Sequence, residues 1–450
     1  LNTQHILFGN APTPGSTSSS SVAYLNPYAA LLRGHKNFSQ SRMSAQLELN
    51  QNLDFVANGL NFRGLFHTNR FSYFESSMGY SPFYYNIGSY DKASNQYTLS
   101  WLNSQPGQAT EYLSYYRDPN TSQLNTYLFF QGVVDYSKRF GDHNLSGSLI
   151  GTQQQTLYGN ANSLFTALPY RNLTVAGRAT YSFKSRYFLE FNFGYNGTER
   201  FSSNHRFGFF PTIGASWIVS DEKFWGQGLY DVVSRMKLRA SYGMVGNDQI
   251  GAQRFFYLSD VNLNGGNPAY FGTNNGYGRN GVTVNNYANT DITWETSRQL
   301  NIGMEFTMFK SLNVVAEVYK YHRTNILQSR ASVPTTMGLE AGVSANFGEA
   351  ESKGIDLQMD YKQAIGKAWL QGRGNLTIAQ SKYSKYEEPQ YPEAYRYQTG
   401  QAINRNYGYI AERLFVDDNE ALNSPSQIFS TNGIAPKGGD IKYRDLNNDG

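Results

Sequence analysis

Cysteine is absent from all 450 residues. That excludes a disulfide framework, a thiolate metal site and a cysteine nucleophile. Charge is sparse as well: Asp, Glu, Lys and Arg make up 16% of the chain, and the formal net charge is only +4. So small a balance, evenly spread, does not suit a nucleic-acid binder. No apolar run reaches the roughly 18 residues that a spanning helix needs. No secretory signal appears at Leu1, Asn2, Thr3, and the sequence stops at Asp449-Gly450 in a loop-like stretch, so the chain reads as an internal fragment of a longer protein. The six histidines (His5, His35, His67, His143, His205, His322) show no H-E-x-x-H spacing, and no G-x-S-x-G elbow is present. The carboxylate pairs Glu387-Glu388 and Asp417-Asp418 sit in polar loops, where solvated charge is the ordinary explanation. Nothing here supports an enzyme.

What is abundant is aromatic: 35 Tyr and 29 Phe. A disordered chain would be aromatic-poor and charge-rich. The dominant pattern has period two. Tyr187, Leu189, Phe191, Phe193 and Tyr195 share one strand face, while Glu190, Asn192 and Asn196 lie on the other. The same alternation runs through Met43–Leu49, Met236–Tyr242, Leu300–Met308 and Ile355–Tyr361. Runs of about ten residues are what a tilted strand needs to cross a bilayer.

The connections are unequal. Short turns are expected near Asn52–Asn58, Lys138–His143, Lys184–Ser185, Lys310–Ser311 and Gln363–Lys367, with a longer one at Ser220–Arg235. Between them lie Asn69–Gln123, Thr156–Arg171, Asn247–Asp291, Thr324–Ser352 and everything after Lys382, with the brief Glu199–Arg206 as the exception. Alternating short and long connections predict about twelve strands in six hairpins that open the same way. The fold class is therefore all-β, a transmembrane antiparallel up-and-down β-barrel with long loops on one rim. A soluble sandwich would need a second apolar layer and shorter strands. A propeller would show a repeat, and none is found.

In such a barrel the apolar face meets lipid. Tyr195, Trp217, Trp294 and Tyr361 are candidate members of the interfacial aromatic girdles. The polar face, with Glu190, Asn192, Lys237, Arg239, Glu305, Asp356 and Arg373, lines the lumen. Ligand would be met in the long loops, where flat aromatic rings suit the C–H faces of sugars. Tyr73, Phe74, Tyr80, Phe83, Tyr84, Tyr85 and Trp101 mark one candidate loop; Tyr270, Phe271 and Tyr277 mark another. Packing of these loops on each other or on a lid is the competing explanation. Gly276-Tyr-Gly278-Arg-Asn-Gly281 matches G-x-G-x-x-G, but no helical pattern follows it, so a flexible loop is expected rather than a nucleotide site. Asp445, Asn447 and Asp449, followed by Gly450, match the first half of a calcium loop, whose twelfth-position carboxylate would lie past Gly450.

Three stretches carry a family likeness. The first is Arg178-Ala-Thr-Tyr181 through Arg186-Tyr187-Phe-Leu-Glu190, then Asn196-Gly-Thr-Glu-Arg200-Phe201, Arg206-Phe-Gly-Phe-Phe210-Pro211, Ser216-Trp217 and Asp221-Glu222-Lys-Phe224. The second is Trp294-Glu295, Gln299-Leu-Asn301-Ile-Gly303-Met-Glu305 and Lys353-Gly354-Ile-Asp356. The third is Gly400-Gln-Ala-Ile, Tyr407-Gly408-Tyr409, Leu414-Phe415 and Gly439-Asp440-Ile-Lys-Tyr443-Arg-Asp445. Together they resemble the SusC/RagA type of TonB-dependent outer-membrane transporter. The resemblance implies a 22-stranded barrel occluded by a plug, of which residues 1–450 would be part. Signal peptide, TonB-binding segment, plug, first strands and last strands would lie outside this chain, and its twelve strands would leave two open edges. It further implies a SusD-like lipoprotein lid, energy delivered by the TonB complex, contact with outer-membrane lipid, and an oligosaccharide or peptide as cargo. No cofactor is implied, calcium aside. A passive porin and a soluble carbohydrate-binding β-protein are the alternatives.

Overall fold

The computed structural model describes residues 8–10, 24–25, 27–81, 83–110, 112–116, 122–161, 163–251, 253–425, 427 and 435–446. Twelve long strands dominate it: β1 (Gly34–Asn52), β2 (Leu60–Gly79), β3 (Gln123–Phe140), β4 (His143–Tyr158), β5 (Tyr170–Phe183) and β6 (Tyr187–Thr198), then β7 (Phe207–Ile218), β8 (Val233–Asn247), β9 (Glu295–Met308), β10 (Leu312–Ser329), β11 (Ser344–Ile365) and β12 (Ala368–Lys385). Spatial order follows chain order from β1 to β12, and every neighbouring pair is antiparallel. The six expected hairpins are all present, and β1 and β12 stand at the two ends of the path. Only the short strand Ser114–Tyr116 lies off it, pairing with the end of β2.

The short turns have local causes. Lys184 and Ser185 have φ of +51° and +54°, the paired left-handed geometry whose twist matches a tight hairpin. At the β1–β2 turn the Asp54 carboxylate accepts the Gly59 N–H at 2.7 Å. Gly59 is required there: φ is +92°, and a Cβ would stand 2.1 Å from the Ser137 carbonyl oxygen.

Register keeps one face polar across the whole wall. Asp135 lies opposite Ser148, Ser148 opposite Arg178, and Arg178 opposite Asn192. Farther round, Lys237 lies opposite Glu305, Gly303 opposite Glu317, and Glu317 opposite Asp356. The other face carries rows such as Ala240, Ile302, Val318, Ile355 and Ile378. Leu47, Leu49, Leu149, Ile213, Ile302, Ile355 and Ile378 are each at least half exposed. Among the described residues no protein layer covers them. The α-helices span four to six residues, as in Leu164–Ala167 and Gln227–Val232, too short to cover a sheet face. An uncovered apolar face on strands of twelve or more residues has lipid as its solvent.

Two of the expected loop boundaries move. β2 runs on to Gly79, so Tyr73 and Phe74 lie in a strand, opposite Gln40 and Ser39, and not in a loop. β10 and β11 pair as far as Ser329 and Ser344, which shortens the expected Thr324–Ser352 connection to 330–343. In both places the wall continues above the lipid with polar side chains on both faces.

Three of the four girdle candidates lie on the outer face of the wall. Trp217 stacks on Tyr187 with centroids 6.3 Å apart, and the Trp217 Nε1–H and the Tyr187 hydroxyl both donate to Glu222 beside the short-turn rim. Tyr195 stacks on Phe207 at 5.1 Å near the other rim, and Tyr361 is partly exposed on the outer face. Trp294 is the exception, for reasons given below.

Candidate functional site

The inner wall is a ladder of cross-strand ion pairs. Arg239 on β8 reaches across β9 to Glu317 on β10, with Nη2 donating to Oε2 at 3.1 Å. Its Nε lies 3.1 Å from Glu305 as an ion pair without hydrogen-bond alignment. Lys237 donates to the same Glu305 at 3.4 Å. Arg178 pairs with Glu190 at 2.9 Å, and Asn192 also donates to Glu190. Arg373 pairs with Asp360 at 2.7 Å, and Arg63 with Asp135 at 3.1 Å. Glu190, Lys237, Arg239 and Glu317 border a recess of about 270 Å³. Asp356 differs from these acids, because its buried Oδ1 has no hydrogen-bond partner. Every residue expected in the lumen therefore lies on this face.

The main buried aromatic cluster stands at the long-loop rim. Phe210 follows the parity of Thr212 and so points inward. Around it pack Phe201, Phe256, Ile292 and Trp294, all under 10% exposed. Trp294 meets Phe201 and Phe210 edge-on, with centroids at 5.5 and 5.3 Å. Its Nε1–H donates to the His205 carbonyl at 3.1 Å. Trp294 is thus a buried anchor of the loop core and not an exposed girdle residue. Gly246 is needed beneath, since a Cβ there would fall 1.9 Å from the Phe210 ring.

Around this hub the loops are stitched together. Ser202 Oγ donates to the Thr290 carbonyl at 2.8 Å, and Arg200 Nη1 to the Gly251 carbonyl at 2.8 Å. Arg254 lies 3.5 Å from the centroid of the Tyr170 ring and donates to the carbonyls of Phe165, Leu168 and Pro169. One guanidinium thereby ties the 159–169 loop to the 248–294 loop. Arg200, Phe201 and Phe210 belong to a stretch that carried the family likeness, but their roles in the hub had no period to betray them. Nothing local singles out Arg254 or Phe256.

The expected ligand aromatics fall into two separate hairpins. Tyr84 and Tyr85 lie on the strand Phe83–Asp91, paired with Gln96–Trp101. The Tyr84 N–H and the Trp101 Nε1–H both donate to Asn103 Oδ1, at 2.8 and 3.0 Å. Trp101 stacks on Tyr85 at 6.5 Å and contacts the buried Phe83 ring at 5.5 Å. Tyr270 and Tyr277 lie in the hairpin Asp260–Phe271 with Tyr277–Asn286, both more than half exposed, and Arg279 Nε donates to the Tyr277 hydroxyl. The same hairpin absorbs the glycine motif: Gly278 lies opposite Tyr270 and Gly281 opposite Gly266. It is a two-stranded ribbon and not a structureless loop, and no helix follows for a phosphate to cap.

The carboxylate pairs also have structural partners instead of plain solvation. Glu387 accepts from Arg330 at 2.6 Å and from the Ser332 N–H, and hydrogen bonding from Ser332 with Arg330 beside it holds the carboxyl below its ordinary range. Glu388 accepts the N–H groups of Gln398 and Thr399, and Asp417 caps the short helix Asp418–Leu422. Asp445 follows the strand Ile441–Tyr443, while Asn447 and Asp449 lie outside the described residues.

A polar, ion-paired lumen wall, an apolar lipid face and loops anchored by a buried core at one rim make an outer-membrane barrel wall. Comparison with known proteins agrees. The family model described as TonB dependent receptor-like, beta-barrel matches residues 2–443. TonB-dependent receptor P3 of Formosa agariphila is 25% identical over 361 residues, 71% of this chain and 34% of that protein. TonB-dependent receptor SusC of Bacteroides thetaiotaomicron is 27% identical over 223 residues, 48% of this chain and 20% of that protein. The fold is similar to that of the RagAB peptide importer in its "open-open" state, with a TM-score of 0.60 and 15% identity over 94% of this chain and 45% of that one. The chain thus spans about a third of the length of the P3 relative. It belongs to the TonB-dependent receptor β-barrel family of the outer membrane.

Proposed function

We propose that this chain is part of the wall of an energised outer-membrane importer for oligosaccharides or peptides. In this reading a SusD-like lipoprotein closes over the long-loop rim, cargo is captured between lid and barrel, and the TonB complex displaces part of a plug seated against the inner wall. No covalent chemistry takes part. The observation that supports it best is the asymmetry of the rims: one carries short turns, the other carries loops tied to a buried aromatic hub at Trp294. A rigid mouth on one side gives a lid a fixed seat. The unpartnered Asp356 oxygen beside the Arg239–Glu317 pair is the sort of inner-wall group that a plug cation would satisfy.

The test is uptake by a strain carrying the full-length gene. Labelled oligosaccharide and peptide pools are offered to that strain, to one lacking the gene, to one lacking TonB function and to one lacking the neighbouring lipoprotein. Loss of uptake in all three deletions is expected. Uptake that persists without TonB function would overturn energised import and leave a passive pore.

A further inference from the structure

We propose that the outer surface of β10–β12, at the long-loop rim, binds the phosphate of an outer-leaflet lipid headgroup. The inference uses the membrane placement of the wall and is independent of what is imported.

Cross-strand register sets the geometry. The aliphatic row Ile302, Val318, Ile355 and Ile378 faces lipid. The next row toward the long loops is Leu300, Lys320, Lys353 and Gln380. Lys320 and Lys353 stand directly opposite each other, an arrangement that places two like charges about 5 Å apart at Cβ and destabilises a sheet unless an anion joins them. One row higher, Arg298 lies opposite His322, His322 opposite Glu351, and Glu351 opposite Lys382. Lys320, Lys353 and Lys382 border a recess of about 380 Å³ together with Glu351 and Gln380.

The pairing pattern singles this place out. Inner-wall cations such as Arg63, Arg178, Lys237, Arg239 and Arg373 have carboxylate partners. Among the described residues Lys320, Lys353 and Lys382 have none, and all three are exposed. Of the nearby acids, Glu349 lies 3.3 Å from His322 Nε2, and Glu351, opposite Lys382, lies 3.7 Å from His322 Nδ1. The opposed Lys320 and Lys353 have no carboxylate between them, and an anion from outside the chain would join them. At the height where aliphatic side chains give way to charge, lipid headgroups are the neighbours. A phosphate can accept from several ammonium groups at once, and this satisfies the opposed pair. Lysine stems lying on the aliphatic row would let the heads reach that level.

The experiment uses full-length protein purified in detergent, stripped of lipid and examined by native mass spectrometry. It is titrated with a phosphorylated glycolipid, with the same glycolipid after dephosphorylation, and with inorganic phosphate. The expected result is tighter binding of the phosphorylated lipid, weakened about thirtyfold in K320Q/K353Q, as two lost surface cations would give, and retained in K320R/K353R. Three results would overturn the proposal: equal binding of both lipids by the unaltered protein, unchanged binding by K320Q/K353Q, or equally tight binding of inorganic phosphate alone. Heat-modifiable gel mobility checks folding. If K320Q/K353Q fails to fold, the two lipid forms compared on the unaltered protein still decide.

Discussion

Neighbouring residues on β12 give the sharpest test of the two-solvent wall. Leu376 is 54% exposed on the outer face, in the row that contains Ala316 and Leu357. Thr377 follows it on the inner face, opposite Asp356, whose Oδ1 has no partner. The depth of the belt can be estimated on β10, where the outer side chains from the turn at Lys310 to Lys320 bear no charge. Ten residues at about 3.4 Å each, tilted by about 40°, span about 26 Å, close to the usual apolar belt of about 25 Å. The row of Leu376 crosses β10 at Ala316, near the middle of that span. Leu376→Arg should therefore cost about 2–4 kcal/mol. Thr377→Arg places the same side chain in water beside an unpaired carboxylate and should be neutral within about 1 kcal/mol or stabilising. Denaturant titration of the full-length protein in bilayers measures both. Equal costs, or a larger cost for Thr377→Arg, would refute the assignment of faces. A soluble protein would show the opposite order, because a charge added to an exposed apolar patch is usually harmless in water.

Four further outcomes are expected. Trp294→Ala should cost about 3–5 kcal/mol locally, seen as faster hydrogen exchange across 199–206 and 248–294 while the centre of β9 stays protected. Arg239→Met leaves Glu305 and Glu317 without their shared cation; since the pair is partly solvated, the loss should be about 1 kcal/mol, and adding Glu317→Gln should recover part of it in a double-mutant cycle. Hydrogen bonding from Arg413, with the Val416 N–H and Lys442 beside it, holds the Glu420 carboxyl far below its ordinary value of 4.5. A depressed carboxyl stabilises fully above the unfolded value and loses its contribution as pH falls through the folded one, so exchange protection over 411–443 should weaken as pH drops below 4.5 and Glu420→Gln should remove that step. For Asp445, Asn447 and Asp449 we propose calcium ligation in a chain extended past Gly450, tested by calorimetric titration; no heat at millimolar calcium would remove the idea.

The wall was legible in the sequence because strand side chains have only two phases and lipid demands one chemistry from one of them. Leu300, Ile302, Met304, Phe306 and Met308 on β9 fix their face without knowledge of any neighbour. Legibility ended where lipid ended. Beyond the belt, both faces of a strand meet water or loops, so the continuations of β2 to Gly79 and of β10 to Ser329 lack alternation and read as loop. The hub was illegible for another reason. Trp294 and Phe201 meet across 93 positions of chain, and a Trp just before an alternating run has the local pattern of a girdle residue. Only the course of 289–293, held by Asn346 bonding to both Thr293 and the Asn325 carbonyl, buries it in the loop core.

These two regions draw stability from different sources, and that separates what mutation can do to each. The wall has almost no protein core; its backbone is satisfied by the strand ladder and its outer side chains by lipid. The mouth is the reverse, a small conventional core in which Phe201 is fully buried and Phe256, Ile292 and Trp294 nearly so. A cavity made in the mouth can loosen the loops without opening the wall, because no ladder hydrogen bond passes through the Trp294 ring. A charge placed in the lipid belt strikes the wall first and spares the hub. Under the proposed import role, variants of the hub should therefore insert normally and fail at capture, whereas variants of the belt should fail at insertion. A capture defect in a correctly inserted Trp294 variant would locate function in the loops, where the aromatic hairpins carrying Trp101 and Tyr270 also stand.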